Sequence, residues 1–153
     1  MHLAQLNVAR LRYPADDPRL SVFMNGLELV NGIAERSPGF VWRLEDAIGS
    51  ATSIKITDDP TLIVNLSVWA SAESLEQFVW QTVHKRFYGR RGEWFEAPTK
   101  AHFVLWWIPD GHIPGLDEAM ERLEALRRDG PSEHAFGWEN LPNVQLWRET
   151  QCG

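Results

Sequence analysis

Cysteine is all but missing from this sequence: Cys152, next to the C-terminus, is the only one in 153 residues. It closes no internal loop from that position, so neither a disulfide framework nor a cysteine metal cluster is available, and a reducing cytosol fits best. Positive charge is also in deficit. Lys and Arg number 15 against 21 Asp and Glu, giving a net charge of −6. Nucleic acid and anionic membrane surfaces both call for a dominant basic field, which this chain does not have. No apolar run approaches the roughly 18 residues of a membrane span. The start Met1-His2-Leu3-Ala4-Gln5-Leu6-Asn7 has neither the basic beginning nor the unbroken apolar stretch of a secretion signal. These absences lead to the expectation of a cytoplasmic protein with small-molecule or protein partners. With 44% hydrophobic residues and no repeat or linker, the chain reads as one domain over residues 1–153, its last part, 131–153, an irregular tail.

What is present is a regular alternation of strand and helix signals. Leu3 to Leu11 alternates in character and is closed by Tyr13-Pro14, which predicts a first strand. Asp17 and Pro18 open a helix whose stripe is Leu20, Phe23, Leu27, Val30 and Ala34, and Ser37-Pro38-Gly39 stops it. Phe40 to Glu45 forms a second strand, followed by a polar connection to Pro60 that holds a small strand candidate at Ile54 to Thr57. Thr61 to Ala70 is the clearest strand, its β-branched run suiting a central place in the sheet. Ser71 caps a second helix running to about Arg90, with Leu75, Phe78, Val79 and Thr82 inward and Gly89 placed to end it. Ala101 to Pro109 is a fourth strand, and Leu116 to Arg128 is an amphipathic accessory helix before Gly130-Pro131. The order β-α-β-β-α-β predicts an α+β, ferredoxin-like fold with two helices on one sheet face. The other face is then bare, which calls for a second copy and predicts a homodimer.

Alternation sorts each strand into two rows, and only one row of each central strand carries polar residues. Ile63, Asn65, Ser67 and Trp69 form a mixed row opposite the apolar Leu62, Val64, Leu66 and Val68, and Gln5 and Asn7 repeat the pattern in the first strand. An unpaired buried amide costs on the order of 1 to 3 kcal/mol, so this row is either the polar floor of a cavity or a self-satisfied structural network. On the second helix, Trp80, His84, Phe87 or Tyr88, and Arg91 recur at steps of three and four, apart from the core stripe. A histidine there can act as base, proton donor or haem ligand, or be merely structural. His102, beside Trp106, is the weaker second candidate, and no spacing of histidines and carboxylates suggests a metal site. Arg91, within the cluster Lys85, Arg86 and Arg90, could hold a carboxylate or phosphate, although cations at a helix C-terminus need no ligand. Eight tryptophans exceed the needs of a small core. Trp42, Trp69, Trp80, Trp94, Trp106, Trp107 and Trp138 are accordingly candidate walls for a flat ligand, Trp69, Trp80, Trp94 and Trp107 foremost, with dimer packing explaining part of the excess.

Several segments then carry a resemblance: His2 to Arg10, Ser37-Pro38-Gly39-Phe40-Val41-Trp42-Arg43-Leu44, Asn65-Leu66-Ser67-Val68-Trp69, Arg90-Arg91-Gly92-Glu93-Trp94-Phe95, and Leu105 to His112. Together they resemble a bacterial family catalogued as a domain of unknown function, similar to the antibiotic-biosynthesis monooxygenases of the dimeric α+β-barrel superfamily. The resemblance implies that fold and a dimer. It also implies a pocket asparagine, tryptophan and histidine, for which Asn7, Trp80 and His84 are the nearest matches. Members oxidise polycyclic phenols without a cofactor, and others degrade haem. The expectation is a cofactor-independent monooxygenase or cyclase for an aromatic, polyketide-like substrate. His84, Asn7 and Asn65 would be catalytic, and Gln5, Ser67, Trp69, Trp80, Arg91, Trp94 and Trp107 would bind substrate. The alternative is a non-catalytic protein that binds a hydrophobic metabolite or haem.

Overall fold

The protein is described from a computed structural model covering residues 1–13, 17–44, 62–83, 91–97 and 100–141. The strand candidate at 54–57, the helix end at Gly89 and Arg90, and the tail beyond 141 lie outside the described residues. Four strands form one sheet: β1 (His2–Arg10), β2 (Phe40–Arg43), β3 (Leu62–Trp69) and β4 (Phe103–Ile108), in the order β2-β3-β1-β4. Every neighbouring pair is antiparallel, which is the ferredoxin-like arrangement that the element order predicts.

Helix α1 (Ser21–Arg36) starts as expected. Asp17 accepts a hydrogen bond from the Arg19 backbone at 2.8 Å, and Pro18 opens a 3-10 turn into the helix. Leu20 of that turn and Phe23, Val30 and Ala34 of the helix are buried. Gly39 ends the connection to β2 at φ +83°, where a Cβ would run into the Ser74 hydroxyl, so only glycine fits the tight approach to the second helix.

Helix α2 (Ala72–Glu76) departs from expectation. Ser71 caps it as predicted, accepting from the Ser74 amide at 3.1 Å. The chain then widens into a π-helix over Gln77–Val83. Bonding from i to i+5 places more residues in each turn, so the consecutive Phe78, Val79 and Trp80 all pack into one cluster on the sheet. An ordinary α-helix would turn one of the three away.

The second correction concerns the face expected to be bare. Helix α3 (Leu116–Asp129) lies on it, burying Ala119 and Leu123 against Leu6, Val8, Val64, Leu66 and Val104. Those strand residues are each at most 7% exposed, and each is worth about 1.5 to 3 kcal/mol when fully buried. The sheet therefore needs no second copy to cover its apolar row, and the physical argument for a dimer through this face lapses. The helix is pinned by a polar contact as well. The indole of fully buried Trp106 donates to Glu118 at 2.9 Å, and His112 lies 2.7 Å from the other carboxylate oxygen.

Burial pushes the Glu118 carboxyl up, but the hydrogen bonds from His112 and Trp106 outweigh it and hold it below the usual carboxylate range. A depressed folded-state pKa contributes stability above the unfolded value, and that stability is lost as pH falls through the folded one. The urea midpoint of Glu118→Gln should therefore lie below that of the natural protein at neutral pH. The gap should close as the pH is lowered past 4.5, the ordinary value for this group. A gap independent of pH would contradict this role.

Candidate functional site

The helix-covered face of β1 and β3 carries the polar row. Cross-strand register sets Gln5 directly opposite Ser67, Asn7 opposite Asn65, and Leu3 opposite Trp69. Direct neighbours in an antiparallel pair stand about 4.5 to 5.5 Å apart at Cβ, close enough for short polar side chains to bond. They do so here. The Gln5 amide nitrogen donates to Asn65 Oδ1 at 2.6 Å and to Ser67 Oγ at 2.7 Å, and the Trp69 indole donates to the same Ser67 Oγ at 2.9 Å. The Gln5 nitrogen also lies 3.4 Å from the Asn65 carbonyl, which fixes the amide with its nitrogen on this side.

Counting lone pairs and hydrogens shows what this arrangement leaves over. Both N–H groups of Gln5 are spent, and both lone pairs of Ser67 Oγ are occupied by incoming donors. The Ser67 hydroxyl can then act only as a donor, and its hydrogen is polarised by the two bonds it accepts. Asn65, its oxygen already engaged, likewise keeps its N–H groups to give. Gln5 and Ser67 are 5% and 7% exposed, whereas Asn7 and Asn65 are open to solvent. Residues of the two central strands on a helix-covered face are ordinarily buried. Their exposure leaves this end of the polar row open to solvent, with the Asn65 amide donors at its surface.

Aromatic rings stand around that floor. Trp69 stacks on Phe78 with centroids 5.1 Å apart and meets the edge of Phe40 at 5.6 Å. On the β4 side, Phe103, opposite Asn7, stacks on Trp138 at 5.6 Å and 13°, and Trp80 approaches Trp138 at 6.2 Å. Of these, Phe103 is not among the residues singled out from the sequence, and Trp138 is there only as one of the surplus tryptophans. Strand alternation places Phe103 on this row, but Trp138 sits in a 3-10 turn with no periodic signal.

The remaining candidates fall elsewhere. Trp94 is 1% exposed at the far end of the sheet, packed with Leu11, Leu20, Phe23 and Ile63, its ring 5.2 Å from that of Phe23. Its place is in the core. Trp107 lies opposite Leu3 at the other end, 39% exposed and away from the floor. His84 and the side chain of Arg91 lie outside the described residues. His102 belongs to the opposite face, with Arg127 of α3 near it, and burial pushes its pKa down, helped by that cation. His2 is on that face too, and His112 and His134 bond to Glu118 and Glu121 of α3. None of these four histidines lies over the polar floor.

The network makes a stability prediction. Ser67→Ala strands two buried donors and should cost about 2 to 4 kcal/mol in urea unfolding. Gln5→Leu in that background should add less than it costs alone, because its Ser67 partner is already gone. Strict additivity of the two would show that the bonds are not coupled.

The sequence matches no protein of curated function. Among solved structures, the chain is similar to SnoaB, a cofactor-independent oxygenase from Streptomyces nogalater, at 14% identity and a TM-score of 0.48, over 71% of this chain and 94% of that one. It is similar to an antibiotic biosynthesis monooxygenase-type protein from Nitrosomonas europaea at 15% identity and a TM-score of 0.48, covering 63% and 82% of the two chains. Another such protein, from Chloroflexus aurantiacus J-10-fl, gives 17% identity and 0.47 over 75% of this chain and all of that one. Likeness of this degree carries no inference about a reaction. A family match extends over residues 2–152, and by it the chain belongs to the family described as Domain of unknown function (DUF3291).

Proposed function

We propose that the polar floor of Gln5, Asn65 and Ser67 binds an aromatic or polycyclic substrate through an enol or phenol oxygen, and that the protein acts on it as a cofactor-independent monooxygenase or a cyclase. The observation that carries this reading is the Ser67 hydroxyl, left only as a donor by the bonds from Gln5 and Trp69. A floor of outward-pointing donors suits an oxygen that gains negative charge. It is a poor home for a neutral hydrocarbon, because donors left unpaired beneath one cost free energy. The two reaction classes share that need, since both pass through an enolate or phenolate.

In this reading, Ser67 and Asn65 hold the oxyanion, Asn7 orients the substrate from the open end, and the aromatic walls position the rings and exclude water. We assign proton removal to His84, four residues beyond Trp80. For oxygenation, the carbanion form of a ring methylene transfers electrons to O2. A C–O bond forms, and loss of water leaves a carbonyl, so CH2 and O2 give C=O and H2O. For cyclisation, the enolate carbon attacks a carbonyl, and water leaves after the C–C bond forms.

Oxygen uptake and product mass with an enolisable hydroxylated polycyclic ketone test this reading. Asn65→Ala and Ser67→Ala should each lower kcat by roughly 10²-fold, the usual loss for an oxyanion donor. His84→Ala should abolish turnover with the fold intact. Wild-type rates in Ser67→Ala would contradict the role of the floor. Tight stoichiometric binding with no product would point to a binding protein instead.

A further inference from the structure

A concavity lies at the end of the sheet where β1 begins, lined by none of Gln5, Asn7, Asn65 or Ser67. It is an open groove of about 900 Å³, within the size range of small-molecule sites. Its apolar wall is built on Trp107 and Phe136, with ring centroids 6.4 Å apart at 38°. Phe136 is held firmly. It exchanges both backbone hydrogen bonds with Leu105, at 2.8 and 3.0 Å, extending the sheet beyond β4 by one bridge. The groove is therefore preformed, and its largest ring, Trp107, stays 39% exposed.

The polar residues of the lining divide into two kinds. Ser71, Ser132 and Asn140 spend their side-chain oxygens on nearby backbone amides, accepting from Ser74, His134 and Gly137 at 3.1 to 3.2 Å. Glu73 and Glu133 do not; both are exposed, and among the described residues neither is paired with a cation. No Lys, Arg or His lines the groove among the described residues. The one ammonium nearby, that of Met1, is held by Asp110 at 2.9 Å. Glu73 also complements the amide end of α2, but Glu133 sits in a loop with no such use.

We infer that this groove binds a small hydrophobic amine, its apolar body against Trp107 and Phe136 and its ammonium between Glu73 and Glu133. The chemistry is complementary on both counts. An exposed indole attracts a cation over its ring as well as apolar surface, and two carboxylates with no competing cation among the described residues favour the ammonium over a neutral or anionic head. The inference is independent of the reading of the polar floor.

Three probes that share one body separate the terms: 4-phenylbutylamine, 4-phenylbutanol and 4-phenylbutyrate, followed by calorimetry and by the Trp107 indole N–H signal, assigned with Trp107→Phe. The amine should bind about tenfold tighter than the alcohol, and the carboxylate weakest, as expected for two partly exposed charge pairs. The double variant Glu73→Gln, Glu133→Gln, on exposed positions that leave the fold unchanged, should bring the amine to the level of the alcohol. Ser67→Ala should leave amine binding unaltered, which keeps this test separate from that of the polar floor. Equal binding of the three probes, or an unmoved Trp107 signal, would overturn the inference. So would a dimer that competes with the amine, showing that a second copy fills the groove.

Discussion

The hydroxyl oxygen of Ser67 is the point on which the polar face of this sheet depends. It accepts from Gln5 on the neighbouring strand and from Trp69 two residues along its own, so one atom ties two central strands together and orients three side chains. Each bond alone is worth only about 1 kcal/mol net. Their joint effect is larger in kind, because a saturated acceptor has a single direction left for its own hydrogen. Gln5, with both amide hydrogens committed, transmits the same constraint to Asn65. A row that could have been a tangle of alternative amide pairings thus has one arrangement, with donors left over on Ser67 and Asn65.

The rest of the fold gives that arrangement somewhere to act. With α3 covering the opposite face, the apolar row of the sheet is buried within one chain. The face beneath α1 and α2 carries the polar positions. The π-helical widening after Glu76 brings Phe78, Val79 and Trp80 together over the sheet, and Trp138 reaches back to stack on Phe103. Aromatic walls and a donor floor therefore come from elements far apart in sequence.

The sequence made the strands and their rows readable, since a period of two separates Asn65 and Ser67 from Val64 and Leu66 whatever the tertiary context. It did not carry register, and register decides that Gln5 meets Ser67 rather than another residue of the row. The stripe of α3 shows that the helix has one buried side, but not which sheet face receives it, and so the covered face was read as bare. Trp94 and Trp107 look alike in the sequence. One is sealed among Leu11, Phe23 and Ile63, and the other stands open in the sheet-end groove, because they fall on opposite ends of the sheet. The π-helix has no signature in residue spacing, and the reach of Trp138 depends on a turn whose position only the folded chain sets.

The central claim is that the floor stabilises negative charge on a ligand oxygen, and the ionisation of a bound phenol measures this directly. A naphthol changes its absorption on losing its proton, so its apparent pKa can be followed free and in complex. Donation from Ser67 and Asn65 predicts a bound pKa below the free value, returning toward it in Asn65→Ala. A bound pKa equal to or above the free value would contradict the account.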